Sequence, residues 1–290
     1  MHALHFWVIG GDRRQLKLAE LLAEEGHTVH TWALPAEGTV GTLLSAESLA
    51  GVERADCVVL PLPVAGEKAE LNAPLWDGRI ALREMFRALR PGQFVVGGKM
   101  TPEVLRLAEE RNLICRDYFA REELAVLNAV PTAEGAVQLA MENLPITLHG
   151  SCALVLGYGR VGRTLARTLQ GLGAFVTVGA RRYEQLAQAE TDGCTAQKLE
   201  DLVGWLCGYD VVFNTIPALV LNDRLLRDLK PDCLVVDVAS KPGGVDFKAA
   251  GELGIPVIWA LSLPGKVAPV TAARAIRQTV YHMLQEEGVV

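Results

Sequence analysis

The sequence predicts an α/β protein built from two doubly wound, Rossmann-like domains, each with a parallel sheet, and with a cleft between them. Three observations predict this class. A short apolar run ends in a G-x-G-x-x-G loop at residues 157–162, the two halves of the chain repeat one strand–turn–helix–strand plan, and the chain has 290 residues. That length exceeds a typical single domain, so two domains are expected.

The first half of the chain begins the repeated plan. Residues 4–9 are predicted to form a strand, residues 16–24 a helix and residues 28–32 a second strand. Further on, residues 56–61 resemble residues 210–217, as though one strand-to-loop unit occurred once in each half. Both halves are therefore expected to form the same kind of doubly wound sheet.

The turn after the first strand differs in chemistry from the later glycine loop. It lacks a third glycine, and Asp12 stands where a phosphate would need free N–H groups and no negative charge. A second nucleotide is therefore not expected there. Asp12 has two interpretations: it caps the following helix, or it joins Arg13, Arg14 and Gln15 at the sheet edge where ligands bind.

The predicted domain boundary lies at a proline. Helical patterns cover residues 122–127 and 133–142, and Pro131 is expected to break or kink the helix between them. A closing helix is predicted over residues 269–286 and is expected to return to the first domain. These boundaries assign residues 1–130 plus 268–290 to the first domain, 131–150 to a bridging helix and linker, and 151–267 to the second domain.

The glycine loop is the clearest motif in the chain. Apolar residues 153–156 are typical of a buried parallel strand, and Gly157, Gly159 and Gly162 follow with dinucleotide-binding spacing. The first glycine permits the tight turn, the second lets a pyrophosphate approach the backbone, and the third lets helix and strand pack closely. A helical pattern and a second apolar strand at 174–178 follow, which favours a dinucleotide site over an ordinary glycine turn.

The residues after that second strand bear on which dinucleotide binds. Arg181 and Arg182 stand where an NAD-preferring site places an acidic residue for the ribose 2′-hydroxyl. Two guanidinium groups suit a 2′-phosphate, so NADP is predicted and NAD is left possible. The alternative is a pair of solvated arginines that open a helix.

Other residues follow predicted strands at the edge where open α/β sheets collect ligands. Lys99 ends a strand predicted over 93–99 and either reaches a bound anion or is simply solvated. A loop over residues 239–247 follows the strand predicted at 232–238, and the last strand leads into residues 263–266. His149 precedes the glycine-loop strand, where a structural role is favoured over a catalytic one.

Composition excludes several classes of protein. The net charge is −6 and no run of like charge occurs, so no nucleic-acid partner is expected. No signal peptide or membrane span is predicted, which indicates a cytoplasmic protein. The six cysteines include no C-x-x-C pair, so they are expected to be buried thiols, and no metal site is predicted.

Several segments together resemble the A-subunit family of dipicolinate synthase over nearly the whole chain. The segments are 8–13 with Gln15, 131–135, the 157–162 loop, 214–217, 239–247, and 263–265 with 267–269. Two features depart from the family pattern: residues 65–77 do not match it, and Lys241 stands where arginine would also fit.

The resemblance implies oxidation of dihydrodipicolinate to dipicolinate, pyridine-2,6-dicarboxylate, on a branch from lysine and diaminopimelate biosynthesis. It also implies that the partner is a flavoprotein-like B subunit, that homo-oligomers are possible, and that the protein works in the mother cell of a sporulating bacterium. The implied cofactor residues are Gly157, Tyr158, Gly159, Arg160, Val161, Gly162, Arg181, Arg182, Asn214, Thr215, Ile216, Pro217, Ala239, Ser240 and Pro264.

The implied substrate carries two carboxylates, which call for cations and a proton acceptor. Asp12 and Glu134 are the candidate catalytic bases, ahead of His149. The candidate substrate-binding residues are Arg13, Lys99, Thr132, Lys241 and Lys266, with Arg14 as a further cation.

Two alternatives stay open at this point. One is a non-catalytic protein that binds NADP and regulates or scaffolds a partner enzyme, since a cofactor site serves sensing as well as chemistry. The other is an enzyme like the 2-hydroxyacid dehydrogenases, which place a catalytic histidine late in the cofactor domain. No histidine occurs between residues 214 and 266 here, which argues against that second alternative.

Overall fold

The computed structural model describes residues 2–35, 42–66 and 69–289. The chain divides into two compact units, which we call the first unit, Met1–Leu127 with Ala268–Val290, and the second unit, Asn128–Val267. Residues 67–68 of the segment 65–77, which departs from the family pattern, lie outside the described residues.

The strands alternate with helices along the chain, as the repeated plan predicts. The strands are β1 (His5–Ile9), β2 (Thr28–Trp32), β3 (Leu43–Ser45), β4 (Cys57–Val59), β5 (Phe94–Gly97), β6 (Ile114–Asp117), β7 (Cys152–Leu156), β8 (Phe175–Ala180), β9 (Thr195–Lys198), β10 (Val211–Asn214), β11 (Leu234–Asp237) and β12 (Val257–Trp259). The helices are α1 (Arg13–Glu24), α2 (Leu82–Arg87), α3 (Pro102–Glu109), α4 (Glu122–Asn143), α5 (Arg160–Gly171), α6 (Tyr183–Thr191), α7 (Asp223–Leu226), α8 (Phe247–Leu253), α9 (Leu263–Val267) and α10 (Pro269–Glu286).

Each unit contains one six-stranded parallel sheet. The strand order is β3-β2-β1-β4-β5-β6 in the first unit and, read from the matching edge, β9-β8-β7-β10-β11-β12 in the second. Both follow the 3-2-1-4-5-6 order of the Rossmann fold, in which the order reverses between the first and fourth strands. The predicted fold class, two doubly wound parallel-sheet domains, is confirmed.

Both faces of each sheet are buried. In β1, Phe6 and Val8 enter one core of the first unit, whereas Trp7 and Ile9 enter the other. Burial on both faces is why central strands such as β1 are continuous apolar runs and do not alternate with polar residues.

The closing helix α10 has the bounds that the sequence predicts, and it belongs to the first unit. Its buried residues Ile276, Val280 and Leu284 join Leu18 and Leu22 of α1 in a single core. Apolar side chains at helical spacing on both helices produce this packing. The first unit is therefore discontinuous in sequence, with its last helix supplied by the end of the chain.

Helix α4 corrects the predicted interruption at Pro131. The helix runs unbroken from Glu122 to Asn143 with Pro131 inside it. Proline removes one backbone donor, but the flanking Ala129 and Ala133 are buried, and that burial outweighs the loss of a single hydrogen bond. The division between the units falls after Leu127, and residues 131–150 belong to the second unit instead of forming a separate linker.

Of the described helices, α4 is the one with the length and apolar composition of a membrane span. The sequence analysis missed this because no charge-free run reaches about 20 residues. Its alanines Ala133, Ala136 and Ala140 are fully buried in the core of the second unit. Burial accounts for this face of α4, whereas Val126, Val130 and Met141 are exposed.

Three smaller corrections concern the edge strands of the first sheet, residues 263–267 and the cysteines. The sequence pattern does not predict the outer strands β3 and β6, because half-exposed edge strands lack a strong apolar signal. Residues 263–267, for which no helix was predicted, form the short helix α9. The six cysteines are free, but Cys207 is exposed, so the expectation of buried thiols is wrong for that residue.

Candidate functional site

The glycine loop lies between β7 and α5, and two of its glycines are required by close packing. Gly157 has φ 93°, and a Cβ added there would lie 2.5 Å from Thr215 Oγ1. A Cβ on Gly162 would lie 2.1 Å from the carbonyl oxygen of Gly157. A Cβ on Gly159 would meet no atom within 4 Å, which leaves open the space that a pyrophosphate would need.

The N-terminus of α5 is free of side-chain caps. Gly159 is its N-cap residue, no side chain accepts from the first turn, and no acidic residue lies there. Backbone N–H groups at such an end favour an anion, because the helix dipole and the unpaired donors act together. The geometry of the loop and helix therefore fits the pyrophosphate of a dinucleotide.

The equivalent helix of the first unit has a different N-terminus. Asp12 accepts a hydrogen bond from the backbone of Arg14 at 2.9 Å, and the side chain of Gln15 accepts from the backbone of Asp12 at 3.2 Å. This reciprocal capping box occupies the donors that a phosphate would use. The contrast supports a single dinucleotide site, in the second unit.

Residues at the end of β10 complete the site beside the glycine loop. β7 and β10 are neighbours, so this is the point where the strand order reverses and where ligands bind in such sheets. Thr215 Oγ1 donates to the carbonyl of Leu156 at 2.8 Å, and Ile216 lies against Gly157. The structure therefore brings Thr215 and Ile216, both predicted cofactor residues, to the glycine loop.

A buried carboxylate, Asp237, organises the next loop, and the sequence analysis missed it. Its Oδ1 accepts from Asn214 Nδ2 at 2.8 Å and from the Ala239 N–H at 3.0 Å, and its Oδ2 accepts from the Gly244 N–H at 2.8 Å. The indole N–H of Trp259 donates to the Ala239 carbonyl at 3.1 Å. The only sequence signal was an acid at the end of an otherwise apolar strand.

The predicted cofactor residues around Asp237 differ in how exposed they are. Asn214 and Ala239 are buried, while Pro217 and Ser240 are exposed. The Asn214 amide is fully engaged by its neighbours, since it also donates to the Ile216 carbonyl at 3.0 Å. Asn214 therefore supports the loops around the site, and the exposed Ser240 remains available to a ligand.

The end of β8 presents the two predicted arginines. Arg181 and Arg182 are exposed, and Arg182 forms an ion pair with Glu184 at 3.0 Å. Beside them, Lys198 ends β9 and places its Nζ 4.4 Å from the centre of the Tyr183 ring. Sequence reasoning missed Lys198, because only the pairing of β8 with β9 brings it to this position.

Tyr158, predicted to bind cofactor, has its side chain directed into the protein. It is buried, and its hydroxyl donates to Asp192 Oδ2 at 2.8 Å. Burial raises the pKa of Tyr158, and the hydrogen bond from Tyr158 lowers the pKa of Asp192. The side chain of Tyr158 therefore fixes the loop against α6. Arg160 and Val161 begin α5, and Arg160 is exposed.

The predicted cations of the first unit divide into free and engaged groups. Arg13 and Lys99 follow β1 and β5 and are exposed at the carboxyl edge of the sheet. Arg14 is buried, and its guanidinium donates to Asp12 at 2.8 Å and to the Leu62 carbonyl at 2.8 Å. Arg14 is thus a structural group. The Asp12 carboxylate is held by Arg14 and by the helix cap, which disfavours it as a base.

The predicted residues of the second unit lie on α4, α9 and the loop after β11. Lys241 and Lys266 are exposed, Pro264 is half-buried, and Glu134 is exposed on α4. A Cβ on Gly135 would lie 3.2 Å from both Leu263 and Val267, so α9 packs closely on α4.

Two further predicted residues have structural contacts. Thr132 Oγ1 donates to the Asn128 carbonyl at 2.7 Å, within α4. His149 lies before β7, at the opposite end of that strand from the glycine loop, and packs on Gly173. His149 is therefore not at the cofactor site, which removes it as a candidate base.

The fold and the site define a nicotinamide-dinucleotide-binding oxidoreductase. Residues 128–243 match the family model described as the NAD binding domain of D-isomer specific 2-hydroxyacid dehydrogenases. Residues 5–119 match the family model of the N-terminal domain of the dipicolinate synthase A subunit. Each unit is thus related to a described family domain.

Comparison over the whole chain identifies the family. The chain is 32% identical over 282 residues to the dipicolinate synthase A subunit of Bacillus subtilis (strain 168), covering 96% of this chain and 95% of that protein. It is similar to the crystal structure of the dipicolinate synthase A subunit from Bacillus halodurans, with a TM-score of 0.88, 31% identity and 97% coverage of each chain. The corresponding Bacillus subtilis structure gives a TM-score of 0.88, 30% identity, and coverage of 99% and 97%. The chain belongs to the A-subunit family of dipicolinate synthase, as the sequence resemblance indicated.

Proposed function

We propose that this chain binds NADP and oxidises dihydrodipicolinate to dipicolinate. One observation carries the proposal: an uncapped α5 beside a tightly packed glycine loop, in a chain that matches the dipicolinate synthase A subunit over 96% of its length. The free helix end supports the dinucleotide. The family supports the substrate class.

The reaction removes a hydride and a proton from the dihydropyridine ring. When bound, the nicotinamide supplies the hydride acceptor. The protein holds the dinucleotide through the backbone N–H groups of α5 and the side chains of Arg181 and Arg182. Because the product ring is aromatic, the protein mainly needs to orient the ring and accept the proton.

Glu134 is the proposed proton acceptor. It is exposed on α4, whereas Asp12 is held by Arg14 and by its own helix cap. Arg13, Lys99, Lys241 and Lys266 are exposed, and they are the proposed candidates for holding the substrate carboxylates. Arginine and lysine both suit carboxylates, and Thr132 is a further candidate contact.

The biological setting follows from the same proposal. The reaction would branch from lysine and diaminopimelate biosynthesis during sporulation, in the mother-cell cytoplasm, with a partner that is the flavoprotein-like B subunit and with possible homo-oligomers. A scaffold role remains the competing proposal. Histidine-based hydroxyacid chemistry is disfavoured, because no histidine lies between residues 214 and 266.

The first experiment is calorimetric titration of the purified chain with NADPH and with NADH, repeated for Arg181→Ala and Arg182→Ala. We expect tight NADPH binding that weakens selectively in both variants, because each removes a phosphate partner. Arg167→Ala, an exposed arginine on α5, is the matched control and should bind like the wild type. Binding of neither nucleotide would reject the proposal.

The second experiment tests the reaction itself. The chain is incubated with dihydrodipicolinate and NADP, and absorbance of the reduced nicotinamide is followed with and without the B subunit. Cofactor reduction by the chain alone would exclude a scaffold role. Glu134→Gln should slow the reaction while leaving NADPH affinity unchanged, since it removes only the proton acceptor.

A further inference from the structure

Three positive side chains surround the end of β8. Arg181 and Arg182 follow this strand directly, and Ala180, its last residue, pairs in register with Lys198 at the end of β9. Neighbouring strands lie about 4.8 Å apart, so Lys198 starts one strand spacing from the arginine pair. Its position is set by strand pairing, not by sequence proximity.

The direction of the Lys198 side chain is also determined. Its Nζ lies 4.4 Å from the centre of the Tyr183 ring, and Tyr183 is the residue immediately after the arginine pair. The ammonium group is thus held over the start of α6, beside the residue that follows the arginine pair. Lys198 itself is half-buried, so its aliphatic stem is supported by the protein.

The acidic groups nearby are all exposed to solvent. Glu184 pairs with Arg182 at 3.0 Å, but both side chains are mostly exposed, and such pairs contribute little. Glu200 and Asp201 follow Lys198 in a short 3-10 helix, and both are exposed. A phosphate monoester, with roughly −1.5 to −2 charge at pH 7, would compete well for these cations.

We infer that Lys198 is the third cation of a ribose 2′-phosphate site with Arg181 and Arg182, and that it sets the preference for a 2′-phosphorylated dinucleotide. This inference rests on the proposed NADP function. In a Rossmann domain, the residue after the second strand holds the ribose 2′-position. Lys198 lies at the end of β9, which is the next strand toward the edge of the sheet. A phosphate added to the ribose 2′-position would extend toward this strand.

The test compares Lys198→Met with Lys198→Arg in the full chain. Methionine keeps an aliphatic stem on Tyr183 but removes the charge, whereas arginine keeps the charge. Lys248→Met is the matched control, because Lys248 is an exposed lysine on α8 of the same unit. Calorimetry with NADPH, NADH, 2′,5′-ADP and 5′-AMP measures the affinities, and thermal melting checks that each variant is folded.

We expect Lys198→Met to weaken NADPH and 2′,5′-ADP about tenfold, the size of one charged hydrogen bond, and to change NADH and 5′-AMP less than about twofold. Lys198→Arg and Lys248→Met should keep the wild-type ratio of NADPH to NADH affinity. An unchanged ratio in Lys198→Met, or equal loss of both nucleotides, overturns the inference while the proposed function stands. A wild-type chain that binds neither nucleotide rejects the proposed function instead.

Discussion

Asp237 and Asn214 form a fully buried side-chain pair, with the Asn214 amide donating to the Asp237 carboxylate at 2.8 Å. The two residues are directly paired at the ends of β10 and β11. The other Asp237 contacts, to the Ala239 and Gly244 N–H groups, hold the loop after β11 against the same point. One buried charge thus connects two strands and the loop that carries Ser240 and Lys241.

Asp237→Asn should destabilise the second unit by about 2–4 kcal/mol, the scale of losing hydrogen bonds to a buried charge. The new asparagine side chain has one acceptor oxygen where aspartate has two. Its NH₂ group would therefore lie against another donor, either the Gly244 N–H or the Asn214 amide. Urea unfolding of the full chain measures the change. Asp232→Asn, at an exposed position before the same strand, is the control and should stay within about 0.5 kcal/mol. Equal losses of unfolding free energy in the two variants would show that the buried Asp237 contributes no more stability than the exposed Asp232.

Gly162→Ala should lower dinucleotide affinity about tenfold or more and cost about 1–3 kcal/mol of stability. The added Cβ would lie 2.1 Å from the Gly157 carbonyl oxygen, so α5 must move away from the loop. Gly171→Ala at the end of the same helix meets nothing within 4 Å. That control should be stabilised by up to about 1 kcal/mol, since alanine favours helix. Thermal melting and NADPH titration measure both quantities, and intact NADPH binding by Gly162→Ala would contradict this packing argument.

Asp12→Ala should cost about 3–5 kcal/mol, because it leaves the buried Arg14 without its carboxylate partner. Thr101→Ala removes only a helix cap on α3, where Thr101 accepts from Val104, and should cost about 1 kcal/mol. The difference between the two losses of unfolding free energy measures how much the Asp12–Arg14 ion pair contributes beyond a helix cap. A cost for Asp12→Ala no larger than that for Thr101→Ala would make Asp12 a candidate base again.

His27 should make the first unit sensitive to mild acid. Its Nδ1 accepts from the Leu4 N–H, and its Nε2 contacts the Tyr281 hydroxyl, so the neutral form is the one that fits. Burial lowers the pKa of His27 in the folded protein below the value of about 6.5 that it has in the unfolded chain. Below about pH 6.5, the unfolded chain therefore binds more protons at this residue than the folded protein does. His27 therefore stabilises the folded state fully above about pH 6.5. This stabilisation is lost as the pH falls toward the lowered pKa of His27 in the folded protein.

His27→Gln should reduce the loss of unfolding free energy between pH 7 and 5, as measured by urea denaturation at each pH. Glutamine can still accept from Leu4 but does not titrate in this range. His2→Gln, at an exposed residue, serves as the control and should leave the pH dependence as in the wild type. An identical pH profile for His27→Gln would remove His27 as a cause of acid sensitivity.

The sequence predicts structure best where one short stretch contains all the residues that determine it. The Gly157 turn and the closing helix Pro269–Glu286 were both predicted with their local roles. Pro131 shows the limit of that approach. Its local preference is to interrupt a helix, but buried neighbours keep α4 continuous.

The sequence by itself determined the fold class, the family, the glycine loop and the arginine pair, because strand periodicity and turn chemistry depend on neighbouring residues. Only the tertiary structure decided that Arg14, which holds Asp12, is buried against the Leu62 carbonyl, and that Asp237 and Lys198 join the site region. Those three facts depend on pairing between strands and on burial. Both bring together residues far apart in the chain, so no local pattern records them.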